Sequence, residues 1–244
     1  MLILITVFRN REDELVDCFK SIELIDKELR HFVRHVIVDG GSTDQSSNIV
    51  ESYKNAGLIE VNSYTVLDES IYEGFNNGIK IAEELYSEND YVSFLHSDDT
   101  ISPGINDAIR FLINERVDYL ETITEYEVDG KIHIRKVRGR FSFFRAPFNH
   151  MSLIYRLGVH ESLGYYPLDL GSMGDLEFML KLIRCNGTAL GVTTRVFGID
   201  GLSSQKKSII PYLKNIYCSY SRSNNRLIGG VAVLVRFLAR ILNG

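Results

Sequence analysis

Residues 33–44 read Val-Arg-His-Val-Ile-Val-Asp-Gly-Gly-Ser-Thr-Asp. Val33–Val38 is dominated by β-branched apolar residues, the composition of a buried strand, and it ends at Asp39. The Gly-Gly-Ser-Thr-Asp that follows is turn chemistry, with Ser42 or Thr43 placed to cap a following helix. A strand that ends on a carboxylate and then turns into a helix is the unit by which the neighbouring sequence can be read.

Upstream, Leu2–Val7 is a second strand of the same kind, broken by Arg9-Asn10-Arg11. Leu15, Cys18, Phe19 and Ile22 then return at helical spacing. Downstream, a short strand ends near Leu67 with Asp68 next to it, and Ile71, Phe75, Ile79, Ala82 and Leu85 mark an amphipathic helix. Tyr91–Leu95 is a further strand, followed by His96-Ser97-Asp98-Asp99. Strand–helix alternation predicts an α/β fold with a Rossmann-like, mostly parallel sheet and helices on both faces. Such sheets bind ligands beyond the carboxyl ends of their strands. Asp39, Asp68 and the Asp98-Asp99 pair therefore gather at one edge. The later chain is less regular: Val117–Ile123 and Lys131–Val137 read as strands, antiparallel to each other. Asp175 opens a helix with Leu176, Met179, Leu180 and Ile183 on its apolar face.

The 244 residues, 45% hydrophobic and 24% charged, have the composition of an ordinary folded domain rather than a disordered chain. Cys18, Cys185 and Cys218 are odd in number and far apart, which argues against a disulfide framework and for a reducing, cytoplasmic setting. The opening apolar run is too short for a signal peptide and has no basic residues ahead of it. Charge is uneven. The net −5 divides into −12 for residues 1–200 and +7 for residues 201–244, where Lys and Arg occur without any Asp or Glu.

Carboxylates at a ligand-binding edge suit a divalent cation. Mg²⁺ or Mn²⁺ takes one or two carboxylates and bridges them to substrate phosphates that they would otherwise repel. Asp98-Asp99 is the natural anchor, although an isolated Asp-Asp pair also suits a helix N-cap. Four segments, in order, carry a resemblance. Leu4-Ile5-Thr6-Val7-Phe8-Arg9-Asn10 is like an opening strand with its nucleotide-contacting turn. Val38-Asp39-Gly40-Gly41-Ser42-Thr43-Asp44 resembles "V-D-(D/G)-G-S-T-D". Residues 68–79 are similar to "D-x-G-I-Y-D-A-M-N-x-G-I", and Phe94–Asp99 to "L-N-(S/A)-D-D". Together they resemble the family 2 inverting glycosyltransferases of the GT-A fold. The resemblance implies transfer of a sugar from a nucleotide-diphosphate donor, UDP by preference, to a hydroxyl of a glycan or lipid-linked glycan in cell-surface polysaccharide or glycan biosynthesis. It implies nucleotide contacts from Thr6, Phe8, Asp39 and Asp68, and Mn²⁺ or Mg²⁺ on Asp98 and Asp99. Two positions depart from the pattern. His96 stands where relatives often have Asp or Asn, which makes it a candidate sugar contact, and Ser70 replaces a Gly.

Inverting transfer needs one base to take the acceptor proton. The stretch from Leu163 to Glu177 resembles the family's acceptor region, which implies Asp175 as that base. Glu177 is the alternative, and the Gly171–Gly174 segment before them reads as flexible. Asp175 is also suited simply to capping its helix. His150, in Phe148-Asn149-His150-Met151, resembles a family position lining the sugar or acceptor pocket.

Residues 1–200 then form the GT-A domain, with a nucleotide-binding half to residue 100 and an acceptor half beyond it. Residues 201–244 form a basic, amphipathic helical tail. On a helical wheel Arg226, Gly229, Gly230, Arg236 and Arg240 share one side, and Ile228, Val231, Val235, Leu238 and Leu242 the other. Leu227–Leu242 is too short to span a bilayer. A helix lying on the inner face of the cell membrane, contacting anionic lipid through 222–242, is the expectation, with packing on the domain as the alternative. No nucleic-acid-binding motif is present. Two other functions use similar parts. A sugar-phosphate nucleotidyltransferase would want a Gly-rich phosphate loop where this chain has Arg9-Asn10-Arg11, and a non-catalytic nucleotide-sugar-binding protein would tolerate His96 in a lapsed metal site.

Overall fold

The computed structural model describes residues 1–128, 131–135, 148–197 and 209–242. Its strands are β1 (Leu2–Phe8), β2 (Val33–Asp39), β3 (Glu60–Thr65), β4 (Tyr91–Phe94), β5 (Thr100–Ile101), β6 (Tyr119–Val128), β7 (Lys131–Arg135), β8 (Leu153–Arg156) and β9 (Gly187–Phe197). The helices are α1 (Glu12–Lys20), α2 (Ser46–Ala56), α3 (Ile71–Leu85), α4 (Ile105–Asn114), α5 (Val159–Leu163), α6 (Gly174–Leu182), α7 (Ile209–Ser223) and α8 (Arg226–Leu242).

One sheet runs β3-β2-β1-β4-β8-β6-β9-β5, with β7 beside β6. The β3-β2-β1-β4 half is all parallel, as strand–helix alternation requires. The other half is mixed: β8 is antiparallel to β4 and β6, β9 is parallel to β6, and β7 is antiparallel to β6 as the sequence suggested. All seven residues of β1 are buried, the mark of a strand covered on both faces. Leu2, Leu4 and Phe8 pack with Leu15, Phe19, Val50 and Ile105 of α1, α2 and α4, whereas Ile3, Ile5 and Val7 pack with Tyr72, Phe75 and Ile79 of α3 and with Phe178 of α6. The three cysteines are free.

Local chemistry differs from the sequence expectation at several points. Ser42 and Thr43 do not cap α2. Its N-cap is Gln45, with no side-chain cap, and Asp44 Oδ1 accepts from the Ser46 N–H at 3.0 Å. β3 stops at Thr65, two residues before Leu67. Gly171–Met173 belong to a 3₁₀ helix, Leu168–Met173, that runs directly into α6. Val137, the expected end of β7, lies outside the described residues.

The tail is an α7–α8 helix pair seated on α6, where Leu176 and Leu180 meet Ile216, Tyr220 and Ala232. Arg222 bridges Asp169 and Glu177, and Asn215 donates to the Leu170 carbonyl at 2.8 Å. The expected basic side of α8 is corrected in part: Arg226 and Gly230 are exposed, and the Arg240 side chain lies outside the described residues. Gly229, Ala232 and Arg236 turn inward, and Arg236 donates to the Tyr212 hydroxyl at 3.1 Å. Close helix contact is the reason: a Cβ on Gly229 would lie 2.0 Å from Ser221 Oγ.

Candidate functional site

The winding direction reverses between β1 and β4, because β2 and β3 lie on one side of β1 and β4 on the other. A crevice beyond the carboxyl ends of these strands is where such sheets take ligands. Phe8 pairs with Asp39 and Asp39 with Thr65, so three strand ends are level. The loops at this rim are cross-linked. Asn10, with φ 53°, donates from its N–H to Ser42 Oγ at 2.9 Å, and its side-chain oxygen accepts from the Thr43 N–H at 2.8 Å. Asp39 is 7% exposed. Its Oδ1 accepts from the Gly41 and Ser42 N–H groups at 3.0 and 2.7 Å, and Ser47 donates to its Oδ2 at 3.3 Å. Asp39 therefore shapes the glycine turn as well as presenting its carboxylate.

Asp68 is brought to the same rim and sits between two glycines. A Cβ on Gly40 would lie 3.0 Å from both of its carboxylate oxygens, and one on Gly74 would lie 2.8 Å from Oδ2. These two close approaches explain why both sequence segments carry Gly there. Partial burial, together with the negative charges of Glu73 and Asp39, raises the Asp68 pKa against the opposing pull of Arg9.

The His96–Asp99 turn closes the crevice on the β4 side, with the Asp99 N–H donating to the His96 carbonyl at 3.0 Å. One ligand atom from each of His96, Asp98 and Asp99 lies within 4.8 Å of the others. His96 Nε2 is enclosed and, among the described residues, has no hydrogen-bond partner. Burial lowers the His96 pKa to about 3, aided by His150 and Arg195, so the imidazole is neutral at pH 7. A neutral ring with an open nitrogen beside two carboxylates fits a divalent cation. Below the turn, Cys18 Sγ donates to the His96 carbonyl at 3.4 Å. Arg195 of β9 is fully buried; it donates to Ser93 Oγ and to the Thr194 carbonyl, both at 3.0 Å. It pairs across β5 with Ile101, two residues beyond Asp99. Burial lowers its pKa to about 10, and Asp99 opposes that shift. A buried guanidinium thus stands behind the acidic turn, where a buried charge needs an opposite one.

His150 is 7% exposed and hydrogen-bonded to the Tyr166 hydroxyl at 3.0 Å. It stacks on Phe75 and Phe94, with its ring 6.0 Å from that of His96. Asp175 joins this group through Tyr72, which donates to Asp175 Oδ1 at 3.0 Å and stacks on Tyr166. Asp175 is not the cap of α6; that position is Met173, which makes no side-chain cap. Asn76 locks the arrangement by donating to the Tyr166 carbonyl and accepting from the Tyr166 N–H, both at 2.9 Å.

Three expected residues are placed differently. Glu177 is turned to the tail, held by Lys181 at 2.9 Å and by Arg222 at 3.4 Å, because two residues along a helix reverse the facing from that of Asp175. The Thr6 hydroxyl points into the core, donating to the Leu95 carbonyl at 2.6 Å and meeting His35 Nε2 at 2.8 Å. Phe8 is 4% exposed in the α1-side core, and its carbonyl accepts from the Gly40 N–H. The crevice can use both residues through their main chain. Sequence reasoning missed Tyr72, Asn76, Tyr166 and Arg195. Tyr72 and Asn76 lie in the 68–79 segment, where "Y" and "N" were the available signals, and Tyr166 lies in the family-like stretch Leu163–Glu177; a lone Arg in the run Gly191–Phe197 was the signal for Arg195. A cavity of about 410 Å³ lined by Leu2, Tyr91, Arg116 and Arg156 lies at the amino ends of β1 and β4, opposite the crevice.

The glycosyl transferase family 2 model matches residues 3–159. Among solved structures, S. aureus TarS (1–349) in complex with UDP-GlcNAc is 20% identical with a TM-score of 0.74, covering 99% of this chain and 71% of its own. The mannosyltransferase PcManGT from Pyrobaculum calidifontis, in complex with GDP-Man and Mn²⁺, is 13% identical with a TM-score of 0.63, covering 100% and 75%. GalNAc-T7 with UDP, GalNAc and Mn²⁺ is 13% identical with a TM-score of 0.61, covering 98% and 54%. The match to another TarS structure spans 43% of that chain's length. No curated protein matches the chain in sequence. At these identities the likeness establishes the GT-A fold. With the family match covering more than half its residues, the chain belongs to glycosyl transferase family 2.

Proposed function

We propose that this protein transfers a sugar, with inversion, from a UDP-sugar to a hydroxyl of a glycan or lipid-linked glycan at a membrane surface, in polysaccharide or glycan assembly. The observation that carries this reading is the single cluster at the switch point. It links the acidic His96–Asp99 turn, through His150, Tyr166 and Tyr72, to the Asp175 carboxylate. In this reading Asp39 and Asp68 take the nucleoside. His96, Asp98 and Asp99 would hold Mn²⁺ or Mg²⁺, which when bound neutralises charge on the diphosphate leaving group. Asp175 takes the acceptor proton, oriented by the hydroxyl of Tyr72, and His150 braces the floor of the sugar pocket. The UDP preference is supported by the UDP and UDP-GlcNAc complexes among the structural neighbours, against one GDP-Man complex.

Turnover of UDP-, GDP- and dTDP-sugars with Mn²⁺, with the product anomer read by NMR, tests the reading. Asp175→Asn should lower kcat by about 10²–10⁴-fold while donor affinity by calorimetry stays within error. Full activity of that variant would remove Asp175 from the role. Donor binding without turnover of any acceptor would favour a non-catalytic nucleotide-sugar-binding protein.

A further inference from the structure

Among the described residues, helix α8 packs on α7 through the side carrying Gly229, Ala232 and Arg236. Its opposite side carries Leu227, Val231, Leu234 and Leu238, spaced four, three and four residues apart and so aligned along one stripe. They are 78%, 47%, 57% and 47% exposed. Single exposed apolar residues are ordinary on a protein surface, but a continuous stripe marks a contact surface. Among the described residues no helix is long and apolar enough to cross a membrane.

Charge decides between the occupants. Residues 201–244 hold seven basic residues and no acidic one. The fold uses two of them internally, Arg222 against Asp169 and Glu177, and Arg236 against Tyr212. Lys214 and Arg226 are exposed on the same helix pair. A second copy docking stripe to stripe would bring two such tails together, and like charges oppose that. An anionic lipid surface instead attracts the basic residues while its acyl region takes the leucines. We propose that the outward face of α8 seats this chain on an anionic lipid bilayer, inserting Leu227, Val231, Leu234 and Leu238. This deepens the membrane-surface part of the proposed function; it needs no sugar transfer to hold. The seat is also fixed in direction, because α7 is bolted to α6, the helix that carries Asp175.

Flotation with vesicles of phosphatidylcholine, with and without phosphatidylglycerol, tests it. The full chain should float with the phosphatidylglycerol vesicles at low salt and far less with phosphatidylcholine alone. Val231→Glu with Leu234→Glu should reduce the bound fraction about tenfold with Tm and donor binding unchanged, and Leu227→Glu alone should act in the same direction. Lys214→Glu with Arg226→Glu should remove the preference for phosphatidylglycerol. Asp175→Asn should float like the wild type, which separates this proposal from the catalytic one. Wild-type protein that stays at the bottom, or stripe variants that float undiminished, would overturn the proposal. So would light scattering that finds a wild-type dimer converted to monomer by the stripe variants, since the stripe would then belong to a second copy.

Discussion

His96 stands where family 2 sequences often place an acidic or amide side chain, and in the proposed metal site that exchange would have a metal-specific consequence. Both ions favour oxygen ligands, but Mn²⁺, a first-row transition ion, accepts an imidazole nitrogen more readily than Mg²⁺ does. We expect donor binding to be supported better by Mn²⁺ than by Mg²⁺. His96→Asp should shift the ratio of the two affinities about tenfold toward Mg²⁺, measured by calorimetry with UDP present; an unchanged ratio would remove His96 from the ligand set. Arg195 calls for a second measurement. Arg195→Gln takes the buried cation from behind Asp99 and should cost about 3–5 kcal/mol, roughly a 10 °C fall in Tm. Mn²⁺ should restore part of that loss, because ion binding favours the folded state. Equal losses with and without Mn²⁺ would make Arg195 a packing residue only. Asp39, Asp68 and Asp99 were legible in the sequence because each follows a strand pattern. Arg195 was not, because it comes from β9, and only the folded sheet brings it under the β4 turn.

At the scale of elements, Ser70 illustrates a departure that the local structure explains. It is the N-cap of α3, its Oγ accepting from the Glu73 N–H at 3.2 Å, while Glu73 Oε2 accepts from the Glu69 N–H at 2.8 Å. The motif's usual Gly at this place is also an adequate cap, so Ser70→Gly should cost only a few tenths of a kcal/mol and Ser70→Ala about 1 kcal/mol, or some 2–4 °C. Thermal melts of the two variants check the order. β1, β2, β4 and α3 were readable because their periodicity is strong and both sheet faces are covered. The cap of α2 was missed because Ser42 and Thr43 face the Asn10 loop, a contact between distant segments. In the tail, periodicity sorted most residues into two faces but could not say which face turns inward. The tight fit of Gly229 against Ser221 settles that, and only packing reveals it.

For the whole molecule, buried histidines set the response to acid. Burial lowers the pKa of His35 to about 3 and those of His150 and His160 to about 4. Their folded values lie below the unfolded value of 6.5, so the stability they permit is present above pH 6.5 and is lost as pH falls toward the folded values. Each takes about 1.4 kcal/mol per pH unit in that window, about 4 kcal/mol per pH unit for the three together. A domain in the lower part of the ordinary range, about 5–10 kcal/mol, should therefore unfold between about pH 5.5 and 4, followed by circular dichroism against pH. A Tm flat across that range would show that these rings gain protons without unfolding. The parallel half of the sheet was evident from strand–helix order. The mixed half was not, because β6, β8 and β9 have no regular alternation with helices to fix their direction. Helix α6 joins the candidate site to the tail. It is nine residues long, and it presents Asp175 to Tyr72 while Leu176 and Leu180 carry the tail. A lineage that traded this tail for another could not do so silently, because any new partner must dock on the helix that holds Asp175 against Tyr72. The tail and the setting of Asp175 are thus bound to evolve as one inheritance rather than as separable parts.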